Sequence, residues 1–336
     1  MPTPKSTPAS VPEFVPPHLL VKTDIRMGKP DAFEGLGSVL PELKRVGIAG
    51  TEVAIAVTGE PEADRREVER LLAWAPRWHD AGLFVYVHPY TQGSANPARC
   101  DRPDGGAPHA AFKRVADAAA ELAARTGDGL VLTYHAAEYT REPSDSAHSE
   151  PELRAALLGR SARFFDLGFR YCEQLGSNIQ LVSETQLPPK QGSPRMRIGD
   201  RPGEVLETLA GRATGVCWDT GHYMLSVERL GASADPEPRF IRAVTHMHIH
   251  DVVDSVDHRP LTPASARVAQ YVHLAVSAGS VGSITLEYDY RLDDTAPGAT
   301  ERDRVLAHLE KAVELVRLWA ADPLSRAPAR AAAPPP

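Results

Sequence analysis

Cysteine is scarce in this chain. Cys100, Cys172 and Cys217 are the three in 336 residues, an odd number at wide spacing, which excludes a disulfide framework and any Cys-x-x-Cys site and suits a reducing compartment. Long apolar runs are missing as well. Nowhere do about 18 consecutive apolar residues occur, the length a membrane-crossing helix needs, and the opening MPTPKSTPASVPEFVPP has no apolar signal-peptide segment. A soluble, cytoplasmic protein is expected. Nor is there an excess of positive charge: 37 basic against 44 acidic residues give a net charge of -7, so no global field gathers polyanions. Wholesale nucleic-acid binding is disfavoured, while a local basic groove stays open. Three phosphate-binding or nucleophile signatures are also absent: a Gly-x-Gly-x-x-Gly turn after the first strand, a P-loop and a nucleophile elbow.

What is present is a regular beat. Between a Pro/Ser/Thr-rich tail (1–16) and a Pro/Ala-rich tail (323–336), both expected to be disordered, short apolar runs alternate with helical patterns. The runs are LLVKTDI (19–25), TEVAIAV (51–57), LFVYVHPY (83–90), LVLTYHAAEY (130–139), NIQLVSETQ (178–186), GVCWDTGH (215–222), VTHMHIHD (244–251) and SITLEYDY (283–290). Apolar residues recur at helical spacing between them, as in Leu36, Val39, Leu40, Leu43 and Val46, or Val68, Leu71, Leu72, Ala75 and Trp78. Similar sets are Phe112, Val115, Ala119 and Leu122; Phe164, Gly168, Tyr171 and Leu175; and Leu306, Leu309, Val313 and Val316. Eight strand-then-helix units over about 300 residues predict an α/β fold of the (β/α)8 TIM-barrel type, one domain over 17–322. An open doubly wound sheet is the runner-up, without a glycine fingerprint to support it.

The polar residues of these runs fall where a barrel keeps its chemistry, at the C-terminal strand ends. His88, His135, Glu184, Asp219, His222, His248 and Glu287 stand there. Each alone has an ordinary explanation: a loop carboxylate for Glu184 or Glu287, an N-cap for Asp219 before Thr220 and Gly221, a backbone-bonded core histidine for His88 or His135. Their joint occurrence at six consecutive strands is harder to explain that way. Read as a strand, residues 244–251 put His246, His248 and His250 on one face, facing either water or a metal ion. Oxygen and imidazole ligands without thiolate suit Mn, Zn, Fe or Co.

WDTGH (218–222), HMHIHD (246–251), DHRPL (257–261) and the strand-end Glu184 and Glu287 together resemble the xylose isomerase-like TIM-barrel superfamily, over roughly residues 17–320. That group includes ketose 3-epimerases, hydroxypyruvate isomerases, inosose and dehydroshikimate dehydratases, and endonuclease IV. The resemblance implies a metal site of Glu184, Asp219, His248 and Glu287, with His248 chosen because it stands three residues before Asp251 in the His-x-x-Asp pattern. It implies Glu184 and Glu287 as an acid/base pair acting next to a carbonyl, and His222 as a contact to substrate oxygen. His88, His135, His222, Asp257 and His258 resemble the further positions with which endonuclease IV holds three zinc ions, so one ion is expected and two or three remain open. The leading expectation is therefore a metal-dependent isomerase or epimerase of a sugar or polyol; the alternatives are a phosphoester hydrolase and a dehydratase or other lyase. Two departures stand out: Asp257 and His258 are adjacent where endonuclease IV has a residue between them, and LTPAS (261–265) replaces a Gly-x-Gly. Tyr90, Tyr134 and Trp218, next to the candidate ligands, are either platforms for a sugar ring or packing. The loops 91–108, 140–152 and 187–203 are expected over the barrel mouth, where Lys190, Arg195 and Arg197 either bind an anionic substrate or are simply solvated. The expected partner is a small molecule, without membrane or nucleic acid, and a homo-oligomer is compatible with the reading.

Overall fold

A computed structural model describes residues 16–24, 40–127, 129–142, 149–176, 178–287 and 301–321. Apart from Pro16, both expected tails lie outside these residues, as do Leu36 and Val39 of the first helical pattern. In chain order the elements are β1 (His18–Asp24), α1 (Leu40–Val46), β2 (Gly50–Val57), α2 (Pro61–Trp74), α3 (Pro76–Asp80), β3 (Phe84–Thr91), α4 (Gly106–Thr126), β4 (Leu130–Tyr134), β5 (Glu138–Thr140) and α5 (Glu150–Leu175). They continue with β6 (Ile179–Glu184), β7 (Arg195–Arg197), α6 (Pro202–Thr208), β8 (Val216–Asp219), α7 (Thr220–Leu230), α8 (Pro238–Ala243), β9 (Val244–Ile249), β10 (Asp251–Val253), β11 (Val256–Arg259), α9 (Ala266–Ser277), β12 (Ser283–Leu286) and α10 (Glu301–Ala321).

The expected barrel is there. Eight parallel strands close in the order β1, β12, β9, β8, β6, β4, β3, β2, with helices packed outside. Because side chains alternate across a strand, each barrel strand sends one set into the barrel and the other into the layer beneath the helices. Val85 and Val87, Leu181, Met247 and Ile249, and Ile284 and Leu286 are all buried. Helix termini follow local chemistry. Ser149 and Glu152 form a capping box at the start of α5, and Gly176 ends that helix at φ 58. Gly168 of α5 is glycine for packing: a Cβ there would lie 2.8 Å from Leu181 Cδ2 and 3.1 Å from Phe112 Cζ, so its absence lets α5 settle on β6.

Three elements differ from the sequence expectation. The single helix expected through Val68 and Trp78 is two, α2 and α3, because Pro76 has no N–H to continue the ladder. The fourth run is not one strand: it leaves the barrel after Tyr134, and Glu138–Thr140 pairs antiparallel with Arg195–Arg197. The loop 187–203 thereby acquires a strand, pinned over the barrel mouth. The seventh run leaves its ladder after Ile249, and β10 and β11 form a hairpin turned by Asp254 and Ser255, both at positive φ (53 and 59). No helix among the described residues is long and apolar enough to cross a membrane.

Candidate metal centre

Every barrel strand sends a polar side chain to the mouth. Lys22 comes from β1, Glu52 from β2, His88 and Tyr90 from β3, Glu184 from β6, Asp219 from β8 and His248 from β9, while His135 and Glu287 follow the last residues of β4 and β12. Ligand atoms of Glu184, Asp219, His248 and Glu287 all lie within 4.8 Å of one another, and the four residues are buried. His248 Nδ1 sits 2.7 Å from Glu287 Oε2, 3.3 Å from Glu184 Oε1 and 4.0 Å from Asp219 Oδ2.

The three histidines around β9 share a face, yet their hydrogen bonds set them apart. His246 is satisfied, with Nδ1 at 2.7 Å from Ser283 Oγ and Nε2 at 3.3 Å from both Glu52 Oε2 and Thr285 Oγ1. His250 Nδ1 accepts from the His258 backbone N–H at 2.8 Å, which leaves its proton on Nε2 to reach Asp219 Oδ2 at 3.2 Å. His248 differs: neither ring nitrogen has a hydrogen bond of acceptable geometry, despite Glu52 Oε2 at 2.6 Å from Nε2.

Asp219 serves twice. Oδ1 accepts from the His222 N–H at 2.7 Å and caps α7, as the sequence suggested, while the same carboxylate belongs to the ligand cluster. Gly221 in that first helical turn leaves room for a neighbour, since a Cβ there would overlap the His250 ring. His222 Nδ1 bonds the Thr185 carbonyl at 3.0 Å. A carbonyl only accepts, so the proton is on Nδ1 and Nε2 carries the lone pair.

The remaining expected residues divide by strand parity. Tyr90 stacks on His88 (centroids 4.5 Å, 20°) and meets His135 edge-on; His135 Nε2 lies 3.0 Å from Glu184 Oε2. His258 stacks on His250 at 4.3 Å, with Nδ1 at 3.3 Å from Asp257 Oδ2 and Nε2 at 3.7 Å from Glu287 Oε1. It adopts φ 56, a conformation non-glycine residues seldom take. Tyr134 and Trp218 are corrections to the expected sugar platforms. Tyr134 packs among Phe112 and Phe164, and Trp218 among Tyr223, Phe240 and Tyr271. Each precedes an inward residue by one position and so points outward.

Two residues at the site were not anticipated. Lys22 Nζ donates to His88 Nδ1 at 2.5 Å and lies 3.3 Å from Glu287 Oε1, and Glu52 joins His246 and His248. Their signal was available: a charge inside an otherwise apolar run of a closed barrel, whose outward face is covered by helices, has only the interior left for it.

Burial alone would push the Glu184 carboxyl up, but His135, His248 and His88 outweigh it and hold it well below the usual carboxylate range. Glu287 goes the same way through Lys22 and His248. Lys22 is held well above its usual value despite burial, chiefly by Glu287. Burial, aided by Lys22, pushes His88 well down. His258 is raised to about 10: burial opposes, while Asp257 and Glu287 prevail. A divalent ion fits this donor set. Glu184 Oε2, Glu287 Oε2 and both nitrogens of His248 are buried without hydrogen-bond partners, in a cluster whose carboxylates call for positive charge.

No protein-family model and no curated protein matches the chain. Solved structures do. A putative sugar phosphate isomerase/epimerase from Anabaena variabilis superposes with TM-score 0.59 at 15% identity, covering 92% of this chain and 100% of that one. D-psicose 3-epimerase from Clostridium cellulolyticum with D-tagatose gives 0.53 at 12% identity, covering 90% and 99%. A putative xylose isomerase from Rhodospirillum rubrum gives 0.54 at 14%, covering 89% and 98%. Likenesses at such identity establish the fold alone, a (β/α)8 barrel.

Proposed function

We propose that this chain is a divalent-metal-dependent isomerase or epimerase that moves a proton next to the carbonyl of a sugar or sugar-like polyol. The observation that carries the reading is the pairing of Glu184 and Glu287. They approach His248 from β6 and from the end of β12, both buried, each with one oxygen lacking a hydrogen-bond partner. An ion held by Glu184, Asp219, His248 and Glu287 would supply Lewis acidity to a substrate carbonyl and its neighbouring hydroxyl. Proton movement then falls to the chain. One glutamate, ionised because the facing imidazoles or Lys22 depress its pKa, removes the proton α to the carbonyl; a proton then returns either to the opposite face, through the other glutamate once that has taken one up from solvent or a substrate hydroxyl, or to the neighbouring carbon, from the glutamate that removed it. The first outcome is epimerisation and the second isomerisation, and loss of a β-hydroxyl from the same intermediate would make the enzyme a lyase. His222 Nε2 accepts from a substrate hydroxyl, and Tyr90 forms a wall beside His88. The ketose 3-epimerases among the structural neighbours support this reading.

One observation favours a second reading. His88, His135 and Glu184, and separately His222, His250 and His258, bring ligand atoms within 4.8 Å of one another, as a phosphoester hydrolase with two or three ions would require. Against it, both ring nitrogens of His250 are engaged, Nδ1 by the His258 N–H and Nε2 by Asp219, and the Lys22 ammonium stands beside His88, whose Nε2 alone is free of hydrogen bonds. Elemental analysis of protein purified without chelator or nickel separates the two. About one ion per chain, lost in Asp219→Ala, with ion-dependent interconversion of ketose epimers, is expected. Two or three ions, falling in both His88→Ala and His258→Ala, with cleavage of abasic-site DNA and no ketose conversion, would overturn the proposal.

A further inference from the structure

The protein is acidic overall, with a formal net charge of -7, yet one cavity beside the mouth has the opposite sign. It measures about 600 Å³ and is walled by the loop after β6 (187–197), the end of α7 and the β10–β11 hairpin; its charged lining is Lys190, Arg195, Arg197, Arg229 and Asp257. The size falls within the usual range of small-molecule sites.

The basic groups are held in place without being neutralised one for one. Arg229 donates from Nη1 to the Pro188 carbonyl at 2.9 Å and from Nη2 to the Ser255 carbonyl at 3.1 Å; among the described residues no carboxylate lies within ion-pair distance of it. Arg197 donates from Nη1 to the Leu187 carbonyl at 2.9 Å, with Nε 3.2 Å from Glu138 Oε2. The same Glu138 also serves Arg195, at 3.7 Å, so one carboxylate stands against two guanidiniums. The Lys190 ammonium makes no ion pair among the described residues. The cavity borders the candidate centre directly: Asp257, in its wall, contacts His258, whose Nε2 lies 3.7 Å from Glu287 Oε1.

We infer that this cavity is a subsite for a terminal anionic group, a phosphate or a carboxylate, of the molecule whose other end reacts between Glu184 and Glu287. Guanidiniums braced by backbone carbonyls present their remaining N–H groups in the fork that phosphate and carboxylate oxygens match. The inference rests on the isomerase or epimerase reading for what happens at the other end, and not for the binding itself.

The test compares matched pairs, so that the sugar part cancels. Isothermal titration of the ion-loaded protein measures the affinities of D-fructose 6-phosphate and 5-keto-D-gluconate against D-fructose, in wild type and in Lys190→Met, Arg195→Met and Arg229→Met. At least one of the two anionic ligands is expected to bind about tenfold or more tightly than D-fructose, and its rank over the other identifies phosphate or carboxylate. Each variant is expected to weaken the preferred anion by about three- to tenfold while leaving D-fructose within about twofold, with Arg229→Lys retaining part of the preference. Equal affinities for all three ligands, or an anion preference indifferent to all three methionine variants, would overturn the subsite. Variant-sensitive anion binding with no conversion of any ligand would leave the subsite standing and remove the isomerase reading; conversion of free ketoses without anion preference would do the reverse.

Discussion

The two faces of the same strands have little in common. On β8, Asp219 enters the ligand cluster while its neighbour Trp218 lies among three aromatic rings under the helices. On β9, His246 and His248 face the interior while Met247 and Ile249 are buried outward. At the end of β4, His135 meets Glu184 and Tyr134 meets Phe112 and Phe164. The outward face is mainly apolar; of its few polar groups, Thr23 is hydrogen-bonded to Thr51 and Ser183 to Thr208, while those of Tyr134 and Trp218 are carried on the rims of their rings. Near the mouth the inward face is charged and leaves polar atoms without partners. Stability should therefore reside mainly on one face and chemistry on the other, although adjacent residues supply them.

The sharpest way to break this comparison is to remove one inward charge. Glu184→Gln keeps the shape and deletes the base, so kcat for the assayed ketose should fall by about a thousandfold or more, equivalent to about 4 kcal/mol. Its melting temperature should fall, though by less than in the outward counterpart, because His135, His248 and His88 favour the ionised carboxylate in the folded state and are left facing a neutral amide. Turnover within about twofold of wild type would remove Glu184 from the acid/base role. The outward counterpart is Trp218→Ala. Loss of a fully buried indole from the cluster of Tyr223, Phe240 and Tyr271 should cost about 3–5 kcal/mol in denaturant unfolding, with metal content per chain unchanged in the folded fraction. A variant that kept its stability and lost its metal would contradict the division of roles.

How far the amino-acid sequence revealed this arrangement depends on parity and range. Eight apolar runs alternating with helical spacing suffice for a barrel, because each run has a face or two to bury and a parallel barrel covers both. Glu184, Asp219, His248 and Glu287 were readable because carboxylates and imidazoles at strand ends break apolar runs in a repeated position. Choosing His248 over His246 and His250 rested on the His-x-x-Asp resemblance; in the fold the distinction is made by Ser283, Glu52, Asp219 and the His258 N–H, all outside the strand. Lys22 and Glu52 were passed over because the charges of LLVKTDI (Lys22 and Asp24) and TEVAIAV (Glu52) read as the wet side of an alternating strand. Tyr134 and Trp218 failed for the converse reason, since closeness in sequence to His135 and Asp219 means opposite faces on a strand. The split of LVLTYHAAEY was not readable at all. It depends on pairing with Arg195–Arg197, some 60 residues on, and on the Ala137 N–H reaching Ser161 Oγ at 3.0 Å.

Tyr134 also allows the comparison to be tested with a single oxygen atom. The residue is fully buried, and its hydroxyl has no hydrogen-bond partner among the described residues. Burial pushes the phenol well above its usual pKa, so it stays neutral at any working pH. A buried hydroxyl without a partner has given up its water and gained nothing in exchange, so its removal should be neutral or mildly stabilising. Tyr134→Phe is expected to change unfolding free energy by between zero and about +1 kcal/mol and to leave kcat/KM within about twofold. If the hydroxyl instead hydrogen-bonds the substrate, the same substitution should reduce kcat/KM about tenfold or more without a loss of stability. That outcome would mean that β4 turns its last residue toward the mouth, and that one-residue parity does not separate packing from chemistry at this strand end.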